Sequence, residues 1–256
     1  MQKTIFYQDE LNDDFSGIKR KPIKIDETYK YKRSLMWRIL ASLLYTIIMK
    51  PIAYIYMKLR FSFQIENKKI LKKYRRSGYF MYANHTHVPA DGFMPSLICF
   101  PKRVHVVVSS ENLSVKGTRN FMAMIGAIPI PNHLNGMRNF KNYIHELIEK
   151  RSVIMIYPEA HIWPYYTKIR PFGKVSFTYP YLENAPTFTF TVTYHKKHHR
   201  TKIIAYVDGP FYPKKSLNKA DSIEDLRNQA YEAMTKRSKL SSFEKIKYIK
   251  KECEMK

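Results

Sequence analysis

The sequence predicts an α/β fold: a mostly parallel central sheet flanked by helices, preceded by an N-terminal helical segment that seats on a membrane. Three observations carry this. Short β-rich runs alternate with helical stretches from Gly78 onward, an apolar run lies ahead of them, and a chain of lysines and arginines links the two. In 256 residues, 45% hydrophobic and 14% aromatic content excludes wholesale disorder. The length suits one large domain or two small ones with a real core.

Residues 1–33 read as a polar arm of weak structure. Met1 is followed by Asp9, Glu10, Asp13 and Asp14 rather than by a basic stub and an apolar run, so no secretory signal is expected. Residues 34–76 form an apolar and basic helical segment that associates with a membrane. Leu35 to Met49 is apolar apart from Arg38 and a few small polar residues. As a helix it extends ~22 Å, short of a ~30 Å hydrocarbon core. Pro51 should break or kink it, and a second apolar piece, Ile52 to Met57, follows. A helix or helical hairpin lying in the interface fits this pattern better than a clean span; a spanning segment and a buried core helix stay open. Between Lys50 and Arg76 nine lysines and arginines are opposed only by Glu66. Beside an apolar segment, such a run favours an anionic membrane surface.

Residues 77–210 carry the α/β pattern. Strands are expected at Tyr79–Ala83, Val104–Ser109, Val153–Tyr157, Thr187–Tyr194 and Lys202–Val207, and helices at Gly92–Cys99, Thr118–Ile125, Met137–Lys150 and Ser222–Lys236. Met137, Phe140, Tyr143, Ile144, Leu147 and Ile148 recur at helical spacing on one face. Strands alternating with helices make the sheet mostly parallel and covered on both faces. Thr187–Tyr194 alternates strictly, as a strand with one face in the core does. Residues 211–256 read as a basic helical C-terminal tail, with Ile246 and Ile249 as its apolar contacts.

Charge narrows the partners. Lys and Arg total 45 against 21 Asp and Glu, a formal charge of +24. The partners are therefore anionic: nucleic acid, an acidic lipid surface, or a phosphorylated substrate or carrier. Cys99 and Cys253 are too few for a disulfide framework and fit a reducing compartment.

Two clusters can carry chemistry. Asn84, His85, His87 and Asp91 fall between a strand and a helix, where α/β folds bind ligands. A histidine with an aspartate a few residues on supplies a general base and the carboxylate that fixes its tautomer. A histidine satisfied in a turn, with Asp91 capping the helix, is the plainer alternative. The second cluster, Ile156-Tyr157-Pro158-Glu159-Ala160-His161, is another strand end and leads to Lys168, Arg170 and Lys174. A strand-end carboxylate beside cations can seat a polar anionic acceptor; an N-capping Glu159 and an aromatic loop packed on the sheet is the plainer reading.

Together these elements resemble the PlsC-type glycerolipid acyltransferases, which acylate lysophosphatidic acid and related acceptors. The resemblance runs from Tyr79 to Tyr194 and rests on Asn84-His85 with Asp91, on Pro158-Glu159 ending a strand, and on Pro171-Phe172 ahead of further β structure. Five residues separate His85 from Asp91, one more than the usual four, which matches a variant branch with a His-x5-Asp motif. Ala160, His161 and Ile162 replace the Gly-Thr-Arg that follows Pro-Glu in the family. The stretch from Gly126 to Asn132 lacks the second motif's arginine.

The resemblance implies direct acyl transfer without a cofactor or metal. His85 and Asp91 would be catalytic, and Asn84, Glu159, Lys168 and Arg170 would bind substrate. The donor would be acyl-CoA or acyl-carrier protein and the acceptor a lysophospholipid such as 1-acylglycerol 3-phosphate. The protein would sit, peripheral or monotopic, on the cytoplasmic face of the cell membrane. His87, four residues before Asp91, is the alternative base.

A metal-dependent hydrolase built on His85, His87 and Asp91 is the competing reading, since imidazole is the commonest metal ligand. Its familiar His-x-His-x-Asp-His run fails at Pro89 and Ala90. Nucleic-acid binding rests on charge alone, with no P-loop, zinc-finger spacing or RNP-like motif, and is not expected. The basic run from His195 to Arg200 reads as a solvated hairpin end.

Overall fold

The computed structural model describes residues 2–17, 21–114 and 117–251. In chain order the elements are β1 (Lys3–Tyr7), α1 (Leu35–Leu43), α2 (Lys50–Phe61), β2 (Gln64–Glu66), β3 (Tyr79–Ala83), α3 (Ala90–Ile98), β4 (Val104–Val108), α4 (Thr118–Met124), β5 (Ala127–Pro129), α5 (Met137–Glu149), β6 (Val153–Ile156), α6 (Thr178–Leu182), β7 (Thr187–Lys197), β8 (Arg200–Phe211), α7 (Lys219–Ser238) and β9 (Ile246–Lys250). Every strand and helix expected between Tyr79 and Lys236 is present, within a few residues at each end.

Seven strands form one sheet in the order β2-β8-β7-β3-β6-β4-β5. All neighbours are parallel except the β7–β8 hairpin. Its turn, at His198 and His199, is the exposed basic end expected there. β3 lies at the centre, between β6 and β7, and every residue of it is buried. Its side chains alternate between two cores. Tyr79, Met81 and Ala83 pack with α2 and α3, whereas Phe80 and Tyr82 pack with α5 and α7. The helical periodicity of α5 holds: Phe140, Ile144, Leu147 and Ile148 are buried.

β7 departs from the single-faced strand expected of it. Thr187 to Tyr194 is buried on both faces. Phe188, Phe190, Val192 and Tyr194 enter one core, and α7 lies over the threonine side. Between α4 and β5 the chain reverses at Gly126, whose φ of +103° suits glycine, with the Val104 carbonyl against its α-carbon.

The apolar segment corrects a second expectation. Leu35–Phe61 is one helical run of 27 residues rather than two broken pieces. A π turn at Leu44–Met49 joins α1 to α2, and the Lys50 amide donates to the Tyr45 carbonyl five residues back. Pro51 follows in the first turn of α2, where a missing N–H costs least. The run extends ~40 Å, enough by length and composition to cross a bilayer. One stripe, Ala41, Tyr45, Ala53, Met57 and Phe61, is buried against the domain. The opposite side exposes Leu35, Ile39, Leu43, Ile47, Ile55 and Leu59.

The chain ends also differ from expectation. The N-terminal arm is a strand, and beyond Ser238 the tail is β9 rather than helix. β1 and β9 pair in parallel as a two-stranded ribbon, with Ile5 opposite Tyr248. Each half satisfies the backbone of the other, which neither segment could do alone. Cys99 is a buried free thiol; Cys253 and the last residues of the tail lie outside the described residues.

Candidate active site

His85 stands just beyond the carboxyl end of β3, on the loop that leads into α3. Asn84 anchors that loop: its side-chain amide donates to the Val192 carbonyl (3.1 Å) and its oxygen accepts the Val192 amide (2.8 Å). This buried clamp ties the end of β3 to β7.

Asp91, in the first turn of α3, is the organiser. Its Oδ2 lies 2.8 Å from His85 Nδ1 and accepts the amides of Thr86 (2.9 Å) and His87 (2.8 Å). The extra residue between His85 and Asp91 is taken up in the turn, and the carboxylate still reaches the ring. The position at the start of a helix suits a negative charge. With Nδ1–H facing Asp91, the remaining nitrogen Nε2 is the acceptor of a neutral imidazole; among the described residues none hydrogen-bonds to it. The His85 side chain is 18% exposed and that of Asp91 5%, so the base meets solvent while its partner does not.

Tyr157, directly after β6, belongs to the second cluster but has no role assigned to it from the sequence. Its ring stacks on the His85 imidazole, centroids 4.3 Å apart at 21°, and its hydroxyl donates to the Asp91 carbonyl at 2.6 Å. It fixes both members of the pair. The available signal was its place directly before Pro158-Glu159.

Glu159 is buried and bridges two loops. Its Oε2 accepts the His85 amide and its Oε1 the Arg170 amide, both at 2.9 Å. The amides of His85, Thr86 and His87 are therefore all held by carboxylates, and an oxyanion formed at the site must find other donors.

Arg170 does not face an acceptor. It is 1% exposed, and its guanidinium lies 3.7 Å from Glu159 Oε2. It donates to the carbonyls of Glu159 and Glu10, each at 3.1 Å, and to that of His161, while its charge sits over the Trp163 ring. Burial pushes the Glu159 carboxyl up and the Arg170 guanidinium down, and each opposes the other's shift. Asn84, Glu159 and Arg170, expected as substrate contacts, thus have internal partners. Lys174 pairs with Glu224 of α7 at 2.6 Å. Lys168 is exposed on the loop after β6.

The terminal ribbon closes over this loop. Trp163 donates its indole N–H to the Asp13 carbonyl, Tyr248 stacks on Trp163, and the Tyr248 hydroxyl donates to the Pro164 carbonyl. The Trp163 amide in turn donates to the His85 carbonyl at 3.1 Å. A chain of contacts thus runs from the ribbon to the candidate base.

His87 is placed differently from His85. It is buried, edge-on to Phe61 of α2, with Nε2 2.9 Å from the Tyr165 hydroxyl. Burial lowers its pKa. Among the described residues no three His, Cys, Asp or Glu side chains converge as metal ligands, and His85, His87 and Asp91 are no exception. The hydrolase reading has no site in this geometry.

A model of the acyltransferase family matches residues 62–193, just over half of the chain, a span that includes His85, Asp91, Tyr157, Glu159 and Arg170. Among solved structures, the fold resembles PlsC, the 1-acyl-sn-glycerophosphate acyltransferase of Thermotoga maritima. The TM-score is 0.55 at 13% identity, over 83% of this chain and 86% of that one. No curated protein matches the chain.

Proposed function

The chain belongs to the acyltransferase family, and from that premise we propose that it is a membrane-associated O-acyltransferase of glycerolipids. In this reading it moves a fatty acyl group from an acyl thioester, acyl-CoA or acyl-carrier protein, to the hydroxyl of a lysophospholipid. The observation that carries it is the 2.8 Å contact between His85 Nδ1 and Asp91 Oδ2, which leaves Nε2 as a base at the carboxyl end of the central strand.

The chemistry follows from that tautomer. His85 Nε2 takes the proton of the acceptor hydroxyl as its oxygen attacks the thioester carbonyl. Asp91 stabilises the imidazolium that forms, without taking the proton itself. The tetrahedral intermediate expels the thiolate, which the imidazolium can protonate. Tyr157 keeps the imidazole plane in line for both transfers.

Among the described residues Lys168 is the cation of its loop without an ion-pair partner, and so the one that would meet a phosphate on the acceptor, since Arg170 and Lys174 have partners. The exposed side of α1 and α2 supports seating in a bilayer interface, with the basic stretch from Lys68 to Arg76 beside anionic headgroups. In this reading the protein sits, peripheral or monotopic, on the cytoplasmic face of the cell membrane. The test is acyl transfer by detergent-solubilised protein, wild type beside His85→Ala. It offers labelled acyl-CoA or acyl-carrier protein against lysophosphatidic acid, other lysophospholipids and glycerol 3-phosphate. Product that depends on His85 bears out the reading and names the acceptor; equal product from both proteins would overturn it.

A further inference from the structure

A cavity of about 330 Å³ opens at the end of the molecule opposite His85. Its walls include Arg103, which precedes β4, and Ser152, which precedes β6, so it lies at the amino ends of the parallel strands. Tyr79 of β3 is level with Val153 of β6, and His85 lies six residues further on, about 20 Å along the strand direction. The cavity is not part of the catalytic cleft. Its volume falls at the lower end of the ~300–1,000 Å³ usual for small-ligand sites.

Charge in the cavity is one-sided. Lys32, Arg33, Arg38, Arg103 and Lys150 line it against a single carboxylate, Glu146. Lys32 reaches Glu146 at 3.0 Å and Lys150 also binds it, so that acid is already shared. Arg103 is half-buried, donates to the carbonyls of Met124 (2.5 Å) and Ala41 (3.4 Å), and lies over the Tyr45 ring. Among the described residues no carboxylate pairs with it. A guanidinium held inside a protein without a counter-ion is a site for an external anion, and its planar fork matches phosphate.

The cavity mouth is also apolar. Leu35, Trp37 and Ile39 of α1 line it, and Leu35 and Ile39 continue into the exposed apolar side of the helix. A small free anion would leave that surface bare. An acyl chain running along α1 from a phosphate at Arg103 would cover it.

We propose that this cavity binds the phosphate headgroup of an anionic phospholipid, with Arg103, Arg38 and Lys32 on the phosphate and the acyl chains along α1. It is a second lipid site, remote from the acceptor's, that pins the amino-terminal end of the helix to a headgroup.

Trp37 lies in the wall, whereas the chain's other tryptophan, Trp163, is buried in the loop beside His85, so a fluorescence change is assigned to the cavity only where Arg38→Gln with Lys32→Gln weakens it. Full-length protein in neutral detergent is titrated with dihexanoyl phosphatidic acid, with dihexanoyl phosphatidylcholine and with inorganic phosphate. The proposal expects a saturable change with phosphatidic acid. Half-saturation should come at least tenfold later with inorganic phosphate, and no saturable change should occur with phosphatidylcholine. Arg38→Gln with Lys32→Gln, both exposed and free to be changed without unfolding, should weaken phosphatidic acid at least tenfold. Unchanged binding in that variant, or equal binding of phosphatidylcholine, would overturn the site. Inorganic phosphate binding as tightly as the lipid would overturn the lipid assignment. His85→Ala should bind as the wild type does, so failure here and failure of acyl transfer are separate results.

Discussion

One oxygen of Asp91, Oδ2, lies 2.8 Å from His85 Nδ1 and also accepts the amides of Thr86 and His87. The carboxylate that orients the candidate base is therefore the same atom that shapes the loop presenting it. Orientation and loop geometry cannot be altered independently at this position.

Asp91→Asn should separate them as far as chemistry allows. With its oxygen at the Oδ2 position the amide can still accept the two backbone N–H groups and the imidazole Nδ1–H, so the loop and the tautomer are kept, but the negative charge that stabilises the imidazolium is lost. Here kcat is expected to fall at least a hundredfold, with KM within a few fold, measured by initial rates on the acceptor that the wild type uses. Asp91→Ala would also strand two buried amides, at about 1–3 kcal/mol each, and should lower the melting temperature.

His85 and His87 should separate by what they break. His85→Ala is expected to abolish transfer with little change in stability. His87 is packed on Phe61 and bonded to Tyr165, so His87→Ala should lower the melting temperature while kcat stays within tenfold. The opposite pattern would move the base to His87.

Much of this was legible in the sequence. Strands and helices between Tyr79 and Lys236 follow from periods of two and 3.6 and from local turn residues, all short-range signals. The His85–Asp91 pair was legible because both members fall within one loop and its helix. The terminal ribbon was not: β1 and β9 are formed by residues about 240 positions apart, and neither carries a strong pattern by itself. The inward turn of Arg170 depends on that ribbon, since one of its acceptors is the Glu10 carbonyl. The continuity of the helix past Pro51 depends on a π turn, which leaves no mark in hydrophobic spacing.

Arg170 and Lys168, two cations of one loop, should respond oppositely. Arg170→Gln leaves Glu159 in a buried site without its counter-charge, a change that costs about 3–5 kcal/mol where measured. Stability should drop and KM for the acceptor should hold within twofold. Lys168→Gln should leave the melting temperature unchanged and raise KM for a phosphorylated acceptor. A thermal melt and a KM for each variant decide it. A raised KM with intact stability in Arg170→Gln would return that residue to the acceptor site.

Stability should fall in mild acid because of His105 on β4. Burial, reinforced by Arg103 alongside, pushes its pKa from 6.5 down to about 3. The sign follows from which state binds the proton. Below pH 6.5 the unfolded chain protonates this histidine and the folded chain does not, so protonation favours unfolding and stability falls as pH falls. The window runs from about 6.5 down to about 3. Between pH 7.5 and 5.5 this one group contributes a loss of about 1.4 kcal/mol. His87, also depressed by burial, adds in the same direction. Denaturant unfolding of wild type and His105→Asn at the two pH values isolates the term. The variant should be less stable at pH 7.5 yet lose about 1.4 kcal/mol less on acidification. Parallel losses in the two proteins would mean that His105 takes up its proton in the folded state, for which the site would have to open to water.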